Sequence, residues 1–420
     1  MEYYVKIKLK NPAVLSLWLM VASFTCYTGM YAVRKSFLAL SFEGDSVFGM
    51  DLKSVMIISQ ILGYMLSKMY GVKLLSELHG KNRVKFLVGF VLFGLMMLVV
   101  TALVPVKYVP LSMFLNGLPL GMVFGLVMSY LEGRTSTELL TAALSSTFIF
   151  STGLIKSIGQ WLHLHLSINE FHVPWLVGLI FFPFFLISVW MLYVSPDPTN
   201  NDIKERLQRK EMNAKDRLEF LKSNFYMISL LVLTYVALTI LRDFRDNFMV
   251  NLWDELAVEG IDFTVYTVTE TPIAIVTLLI SASLIRIKNN IKALNTSLYL
   301  NVICSVVLFV STMLYGLGVL GAVAWMVISG FALYLPYILF HTSIYERLIP
   351  VIGSVANVAF LFYMSDSIGY CGSVILLLVK DVFWVDASWL GVYFPVVYSV
   401  SIGVCMFSLL AILGVAKYRR

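Results

Sequence analysis

Basic side chains recur at one spacing inside two long apolar stretches of the chain. Arg34 follows Tyr27 by seven residues, and Arg242 follows Tyr235 by the same interval, 208 positions further on. A charged side chain near the centre of a bilayer costs about 2.5–3.5 kcal/mol on insertion scales, so it persists where it faces a partner, a cavity or a ligand. The planar guanidinium donates two parallel hydrogen bonds to a phosphate or carboxylate. The repeated pattern therefore predicts an anion site with one arginine from each stretch.

The residues around Arg34 suit such a site. On a helix, Tyr27, Tyr31 and Arg34 lie on one stripe, so two phenol hydroxyls line the same wall as the guanidinium. Lys35 follows directly and adds a second positive charge. The alternative interpretation is that Arg34 and Lys35 extend along the helix to a lipid headgroup region.

The second stretch carries acids beside its arginines. Arg242 and Arg245 share a helix face, and Asp246 lies one turn from Arg242, where the two can pair. The alternative is that Arg245 and Asp246 already lie at the outer mouth of a membrane helix. We assign Arg242 to substrate and Arg245 and Asp246 to ion pairing or coupling.

Other charged residues stand alone in apolar runs. Lys68 and Lys156 are predicted substrate contacts, and Glu270 and Asp366 are predicted coupling or ion-pairing residues. The alternative for all four is ion pairing between helices or a lid over the cavity. Seven basic residues fall within apolar runs, namely Arg34, Lys35, Lys68, Lys73, Lys156, Arg242 and Arg245. Against them stand four acids, Asp243, Asp246, Glu270 and Asp366. An excess of buried positive charge is unfavourable unless an anion neutralises it, so we expect a small anionic substrate.

The elements that position these residues are membrane helices. The chain is 59% hydrophobic and 13% charged, values that a water-exposed surface could not accommodate. Because the apolar runs are long enough to cross about 30 Å of hydrocarbon as helices, we predict an all-α integral membrane fold. Twelve spans are predicted, at 13–40, 53–76, 84–104, 111–131, 140–166, 173–194, 224–249, 265–286, 293–313, 317–340, 352–379 and 390–416.

A polar segment divides these spans into two sets of six. We predict an N-terminal half at 1–194, a cytoplasmic linker at 195–223 and a C-terminal half at 224–420. Of the 31 lysines and arginines, 21 fall in tails and loops on the side of the amino terminus, whereas only Lys53, Lys107 and Lys380 fall in loops on the other side. The positive-inside rule therefore predicts cytoplasmic termini in the plasma membrane, the inner membrane of a bacterium. The net charge of +6 is a topology signal and does not indicate nucleic-acid binding.

Enzyme and metal signatures are missing from the sequence. It contains no phosphate-binding loop, no His-Glu-x2-His and no Gly-x-Ser-x-Gly, so we expect no enzyme activity and no cofactor. The four cysteines have no paired spacing, which argues against a disulfide framework or a zinc site.

Several stretches are similar to one family. Tyr31-Ala-Val-Arg34-Lys35-Ser-Phe37 resembles a Tyr-x-x-Arg-Lys-x-Phe signature, and Gly63-Tyr64-Met-Leu-Ser67-Lys68-Met-Tyr-Gly71 resembles a second-span motif. Both are motifs of the organophosphate:phosphate antiporters of the major facilitator superfamily, which include the glycerol-3-phosphate and hexose-phosphate transporters. The resemblance implies two pseudo-symmetric six-helix halves, with Arg34 and Arg242 binding substrate phosphate.

The same resemblance reaches other spans. Gly330-Phe-Ala-Leu-Tyr334-Leu-Pro336 is similar to a tenth-span motif, which makes Tyr334 a further substrate-binding candidate. It also implies that the second span faces the eleventh and the fifth faces the eighth, so we expect Lys68 to pair with Asp366 and Lys156 with Glu270.

These expectations lead to one main functional hypothesis and one alternative. The main hypothesis is a monomeric secondary transporter of a small organic anion, expected to be phosphorylated, that works by alternating access with phosphate exchange or proton coupling. The alternative is a non-transporting membrane sensor of an external organophosphate or related anion, because some relatives in the resembled family act in that way.

Overall fold

The computed structural model describes residues 11–77, 81–134, 136–198, 214–258, 262–353, 358–384 and 387–419, and these ranges are mainly helical. The helices are α1 (Pro12–Lys35), α2 (Leu52–Glu77), α3 (Lys81–Leu103), α4 (Val109–Leu120), α5 (Val123–Leu131), α6 (Thr137–Leu166), α7 (Val173–Tyr193), α8 (Ala214–Ser223), α9 (Phe225–Asn247), α10 (Met249–Leu256), α11 (Val265–Leu284), α12 (Asn290–Gly316), α13 (Ala322–Leu339), α14 (Tyr345–Val351), α15 (Val358–Phe383) and α16 (Trp389–Val415). A short hairpin, β1 (Ser46–Val47) paired antiparallel with β2 (Met50–Asp51), precedes α2.

The predicted membrane architecture is confirmed. Eleven helical stretches in the described residues are long and apolar enough to cross a membrane. The 26-residue α2 lies between the first and second of them and is long enough to form a twelfth. This is a multi-pass membrane protein.

Local sequence signals explain where helices begin. The Asn11 side chain accepts a hydrogen bond from the Ala13 N–H at 3.0 Å, and Pro12 occupies the first helical turn of α1. The Asn289 side chain likewise accepts from the Lys292 N–H at 3.0 Å at the start of α12. Each cap satisfies a backbone donor that the first turn leaves without an intrahelical partner.

The tenth span differs from its prediction. The predicted span ended at residue 340, but helix continues through a π-helical turn (Phe340–Ile344) into α14 and ends at Val351. The eleventh span accordingly begins at Val358 instead of 352. The polar residues after Phe340 lowered the local hydropathy, although the helix holds them in its interior.

Two lysines assigned to outer loops are instead buried. The Lys53 side chain, in the first turn of α2, is 0% exposed, and Lys380 near the end of α15 is 8% exposed. Lys380 Nζ pairs with Asp381 Oδ1 at 3.2 Å, and Asp51 at the start of α2 interacts electrostatically with all three of these residues. A hydropathy window cannot detect this burial, because helices from distant parts of the chain create it.

The chain forms two compact units. Unit 1 comprises Met1–Arg206, Glu259–Val268 and Leu377–Val385, and unit 2 comprises Leu207–Val258, Thr269–Leu376 and Asp386–Arg420. In unit 1, α1 packs on α6 and α7, and α2 packs on α4. In unit 2, α12 packs on α13 and α16, and α9 packs on α16. The predicted internal symmetry of the halves 1–194 and 224–420 stays a prediction.

Candidate functional site

The predicted cations of unit 1 lie at the end of α1 and in the middle of α2. Arg34 is 3% exposed, and Lys35 and Lys68 are also buried. The Arg34 guanidinium carbon lies 3.7 Å from the centre of the Tyr64 ring, and Lys68 Nζ lies 4.9 Å from the same centre. One aromatic ring therefore contacts two cations, and its π electrons stabilise both positive charges.

Glycines on α2 and α4 bring Tyr64 and Lys68 into place. A Cβ at Gly63 would lie 2.1 Å from the Phe114 carbonyl oxygen, and a Cβ at Gly117 would lie 2.2 Å from the Gln60 carbonyl oxygen. The two helices therefore approach so closely that no larger residue fits at either position. Packing therefore explains the glycine of the Gly63-Tyr64 motif, because it allows the close contact between α2 and α4.

A buried amide network ties α2 and α4 to the end of α1. Gln60 Nε2 donates to the Arg34 carbonyl oxygen at 2.8 Å and to Asn116 Oδ1 at 2.7 Å. Asn116 Nδ2 donates to the carbonyl oxygens of Val33 at 3.3 Å and Gly94 at 2.8 Å. The backbone that carries Arg34 is thus held by hydrogen bonds from two other helices.

The predicted tyrosine stripe forms part of an aromatic wall. The ring centres of Tyr27 and Tyr31 lie 5.2 Å apart, and Phe148 of α6 lies 5.7 Å from Tyr27 and 6.2 Å from Tyr31. On the same pair of helices, Thr28 Oγ1 and Ser151 Oγ lie 2.8 Å apart and share a hydrogen bond. Tyr27, Tyr31 and Arg34 are therefore buried together in unit 1, as the helical spacing predicted.

Lys156 lies on α6, five residues after Ser151, and its side chain is fully buried. The next residue, Ser157, accepts hydrogen bonds from the N–H and the hydroxyl of Thr267, at 3.2 and 2.7 Å. The start of α11 is thereby fastened to α6 inside unit 1. The side chain of Lys73 lies outside the described residues.

In unit 2, Arg242 pairs with a residue that the helical spacing did not predict. Its guanidinium forms an ion pair with Asp243, the adjacent residue, and lies 4.4 Å from the centre of the Tyr337 ring. Asp243 Oδ2 also accepts a hydrogen bond from Ser373 Oγ at 2.9 Å. Helical spacing pointed to Asp246, which is buried on the same helix. An Arg242–Asp246 contact stays a prediction.

Arg245 lies in the protein interior and pairs with an acid of another helix. Its side chain is 0% exposed, and Nη2 donates to Glu270 Oε1 at 2.7 Å and to the Met326 carbonyl oxygen at 2.9 Å. A Cβ at Gly330 would lie 2.6 Å from Arg245 Nη2, so the glycine makes room for the guanidinium. Tyr334 lies one turn further on, with its ring centre 5.9 Å from the Arg245 guanidinium. Both Gly330 and Tyr334 of this motif therefore lie against the Arg245 side chain.

Each of the two predicted coupling acids has a partner within unit 2. Glu270 pairs with Arg245, and Asp366 Oδ1 accepts a hydrogen bond from the Tyr235 hydroxyl. The expected pairs Lys68–Asp366 and Lys156–Glu270 stay predictions, as does the shared cavity for Arg34 and Arg242.

Buried charge is distributed unequally between the two units. Among the described residues, the buried cations of unit 1 are Arg34, Lys35, Lys53, Lys68, Lys156 and Lys380, and its buried acid is Asp381. Those of unit 2 are Arg242 and Arg245, with Asp243, Asp246, Glu270 and Asp366 as buried acids. By this count buried cations outnumber buried acids in unit 1, and an excess of positive charge suits an anion.

Sequence reasoning missed three partners of the predicted residues. Tyr64 lies in the same motif as Lys68, but only the lysine was predicted to contact substrate. Asp243 was passed over because adjacent helical residues do not normally face each other. Asn116 was detectable as a lone amide in an apolar run, which is a costly residue to bury without hydrogen bonds.

Comparisons with known proteins agree with this architecture. A family of unknown function, DUF5690, matches residues 36–417. No curated protein matches the sequence. Among solved structures, the chain is similar to a D-xylose-proton symporter, with 11% identity, a TM-score of 0.57 and coverage of 97% of both chains. It is also similar to the nucleoside transporter NupG, with 13% identity, a TM-score of 0.58 and coverage of 97% of this chain and 100% of that one. These likenesses show a major facilitator fold.

Proposed function

The chain belongs to DUF5690, a family of unknown function, and from its own geometry we propose that it is a secondary transporter of a small organic anion. The observation that carries this proposal is the pair of buried cations in unit 1, Arg34 and Lys68, that contact the Tyr64 ring, together with the buried Lys35 that follows Arg34 in the chain. Buried cations are costly in a membrane protein, and an arriving anion offsets that cost.

A phosphate group suits the cluster better than a neutral sugar or nucleoside. Arg34 offers a bidentate fork, whereas Lys35 and Lys68 offer compact point charges, and both are common phosphate ligands. Resemblance to the organophosphate:phosphate antiporters supports the same substrate class through the motifs that contain Arg34 and Lys68. We therefore propose a phosphorylated substrate, with Tyr27 and Tyr31 as neighbouring hydroxyl donors.

Transport by alternating access supplies the mechanism. In this fold, substrate is held near the midplane and two sets of helices rock around it. Arg242 is proposed as the second anion contact, released from Asp243 when substrate arrives. We further propose that both termini are cytoplasmic, because lysine and arginine are concentrated in the tails and loops on that side. The protein is proposed to act as a monomer in the plasma membrane.

Counterflow in liposomes tests the proposal. Purified protein is reconstituted into vesicles loaded with unlabelled inorganic phosphate, and entry of labelled phosphate or labelled glycerol 3-phosphate is followed. Labelled xylose and uridine, with matching unlabelled sugar or nucleoside inside, serve as neutral probes, and protein-free vesicles give the background. Saturable entry of the phosphate probes supports anion transport.

Two other outcomes contradict it. Entry of xylose or uridine without entry of phosphate would assign the protein to neutral substrates, as in its two structural neighbours. Saturable phosphate binding with no counterflow of any probe would favour the sensor.

A further inference from the structure

A buried hydrogen-bonded cluster in unit 2 lies apart from the ion pairs of Arg242 and Arg245. The Tyr235 hydroxyl of α9 donates to Asp366 Oδ1 of α15, lies 3.1 Å from His341 Nε2 and lies 3.4 Å from the Tyr337 hydroxyl. We propose that Asp366, with Tyr235 and His341, binds and releases a proton during transport, so that the anion moves together with protons. This inference rests on the proposed function and names its coupling ion.

The cluster accommodates a proton without breaking its hydrogen-bond chain. A phenol has one proton to donate and lone pairs to accept. When Asp366 is ionised, Tyr235 donates to the carboxylate and accepts from His341 protonated on Nε2. When the carboxyl takes up a proton, it donates to the Tyr235 oxygen, and the phenol proton turns toward the Tyr337 hydroxyl, 3.4 Å away. One proton enters from one aqueous side and leaves to the other, and no other bond changes.

The buried surroundings of Asp366 make its ionised form much more costly than its neutral form. Asp366, His341 and Tyr235 are all buried, and the His341 ring stacks on Phe362 with ring centres 5.0 Å apart. A carboxylate in an apolar span is costly when ionised and much less so when neutral, so a change of conformation that alters its hydration drives proton uptake or release.

Among the described residues, the titratable groups that face Asp366 from neighbouring helices include three tyrosines and one histidine. They are Tyr235 on α9, Tyr337 on α13, His341 in the π-helical turn and Tyr345 on α14. Arg242 lies over the Tyr337 ring, with its guanidinium 4.4 Å from the ring centre. Substrate that draws Arg242 away would therefore be sensed through Tyr337, which places the proton site beside the proposed anion contact.

The π-helical turn gives the cluster its geometry. Phe340–Ile344 widens the helix by one residue and carries His341 toward Tyr235. Such turns are rare, are found within longer helices and occur often at functional sites. Glu270, the other acid proposed for coupling, is less suited, because its Oε1 is 2.7 Å from the fully buried Arg245 guanidinium.

Infrared spectroscopy tests the proton site without any substrate. The protonated carboxyl band of purified protein is titrated with pH in wild type, Asp366→Asn, Tyr235→Phe and the control Ser367→Ala, whose hydroxyl in wild type donates to the Tyr363 carbonyl oxygen. We expect a titrating band in wild type and Ser367→Ala that is missing in Asp366→Asn. In Tyr235→Phe it moves to higher pH, because the ionised carboxylate loses a hydrogen-bond donor while the ring remains in place.

Transport in liposomes tests coupling. Vesicles that are acidic outside and neutral inside, without internal phosphate, should accumulate labelled inorganic phosphate, and Asp366→Asn should lower this accumulation at least tenfold. Counterflow at equal pH, which needs no net proton movement, should persist in that variant at a reduced rate. Phosphate itself titrates near neutral pH, but the variant meets the same ions, so the difference between the two proteins reports Asp366.

The outcomes separate the two proposals. Counterflow with pH-driven accumulation equal in wild type and Asp366→Asn would overturn the proton site and leave the transporter standing. Absence of counterflow for every probe would overturn the transporter, while the infrared titration would still decide the proton site. If Asp366→Asn does not fold, Tyr235→Phe must show the shifted band, and an unshifted band would overturn the proposal.

Discussion

Arg34 in unit 1 and Arg245 in unit 2 are both buried arginines near tyrosine rings, but their environments differ. Arg34 lies with Lys35 and Lys68 in a unit whose described buried residues include six cations and one acid. Arg245 meets Glu270 at 2.7 Å in a unit with two buried cations and four buried acids. Burial beside a tyrosine ring therefore does not by itself define the role of an arginine, and we take the surrounding charge as the feature that distinguishes the two sites.

Unit 2 should lose stability when its ion pair is broken. Arg245→Ala or Glu270→Ala leaves the partner charge buried, which costs about 3–5 kcal/mol, whereas the double variant should cost less than either single one. Thermal unfolding of the purified variants in detergent, analysed as a double-mutant cycle, measures this coupling. Simple additivity would show that the pair contributes nothing specific, and the contrast between the units would be lost.

The close contact between α2 and α4 should be nearly as sensitive. Gly63→Ala places a Cβ 2.1 Å from the Phe114 carbonyl oxygen, so the helices must separate and Tyr64 and Lys68 shift with α2. We expect a loss of about 1–3 kcal/mol in unfolding free energy, as for other overpacked cores, together with weaker phosphate binding. Gly89→Ala is the matched control, since a Cβ there meets nothing within 4 Å. Equal behaviour of the two variants would contradict the packing account.

Substitutions of the two tyrosines beneath arginines sharpen the comparison. Tyr64→Leu removes the ring beneath Arg34 and Lys68, and Tyr337→Leu removes the ring beneath Arg242. Each cation–π contact is worth about 0.5–2 kcal/mol. We expect Tyr64→Leu to weaken phosphate binding more than Tyr337→Leu, because Tyr64 serves two cations. Isothermal titration with inorganic phosphate gives both values, and the reverse order would assign the principal anion contact to unit 2.

Asp51 in unit 1 should give the smallest effect. Burial raises the pKa of its carboxyl, and the nearby Asp381 adds to this, against the hydrogen bond from the Ser54 N–H and the charges of Lys380 and Lys53. A folded-state pKa above the unfolded value gives stability at acid pH that is lost as pH rises through the folded pKa.

Asp51→Asn removes that dependence, because the amide keeps the helix cap without a charge. The unfolding temperature of the variant relative to wild type should therefore increase as pH rises from acid to neutral. Glu43→Gln, which removes an exposed acid of the same loop, is the control. A constant difference across the pH range would contradict the assignment.

The helices were predictable because each is recorded locally in the sequence. Long apolar runs and caps such as Asn11 identify them, and helical spacing alone placed Tyr27, Tyr31 and Arg34 together. The end of the tenth span was predicted too early because its π-helical turn carries His341 and other polar residues, which resemble a loop in a hydropathy average. Hydropathy does not report that a distant helix buries them.

The partners of the charges were less predictable. Tyr235 and Asp366 are 131 positions apart, and Arg245 and Glu270 are 25 apart on different helices, so no periodicity links them. Tertiary packing determines these contacts. A local sign was present at Gly330, which makes room for the Arg245 guanidinium.

Equilibrium binding of labelled inorganic phosphate to purified protein tests the central claim, an anion site around Arg34, most directly. Wild type should bind phosphate saturably, with competition by glycerol 3-phosphate and none by glycerol. Arg34→Lys keeps the charge but loses the bidentate fork, so its affinity should fall at least tenfold while its unfolding temperature stays close to that of wild type. Absence of saturable binding in folded wild-type protein, or equal affinity in the lysine variant, would contradict the account.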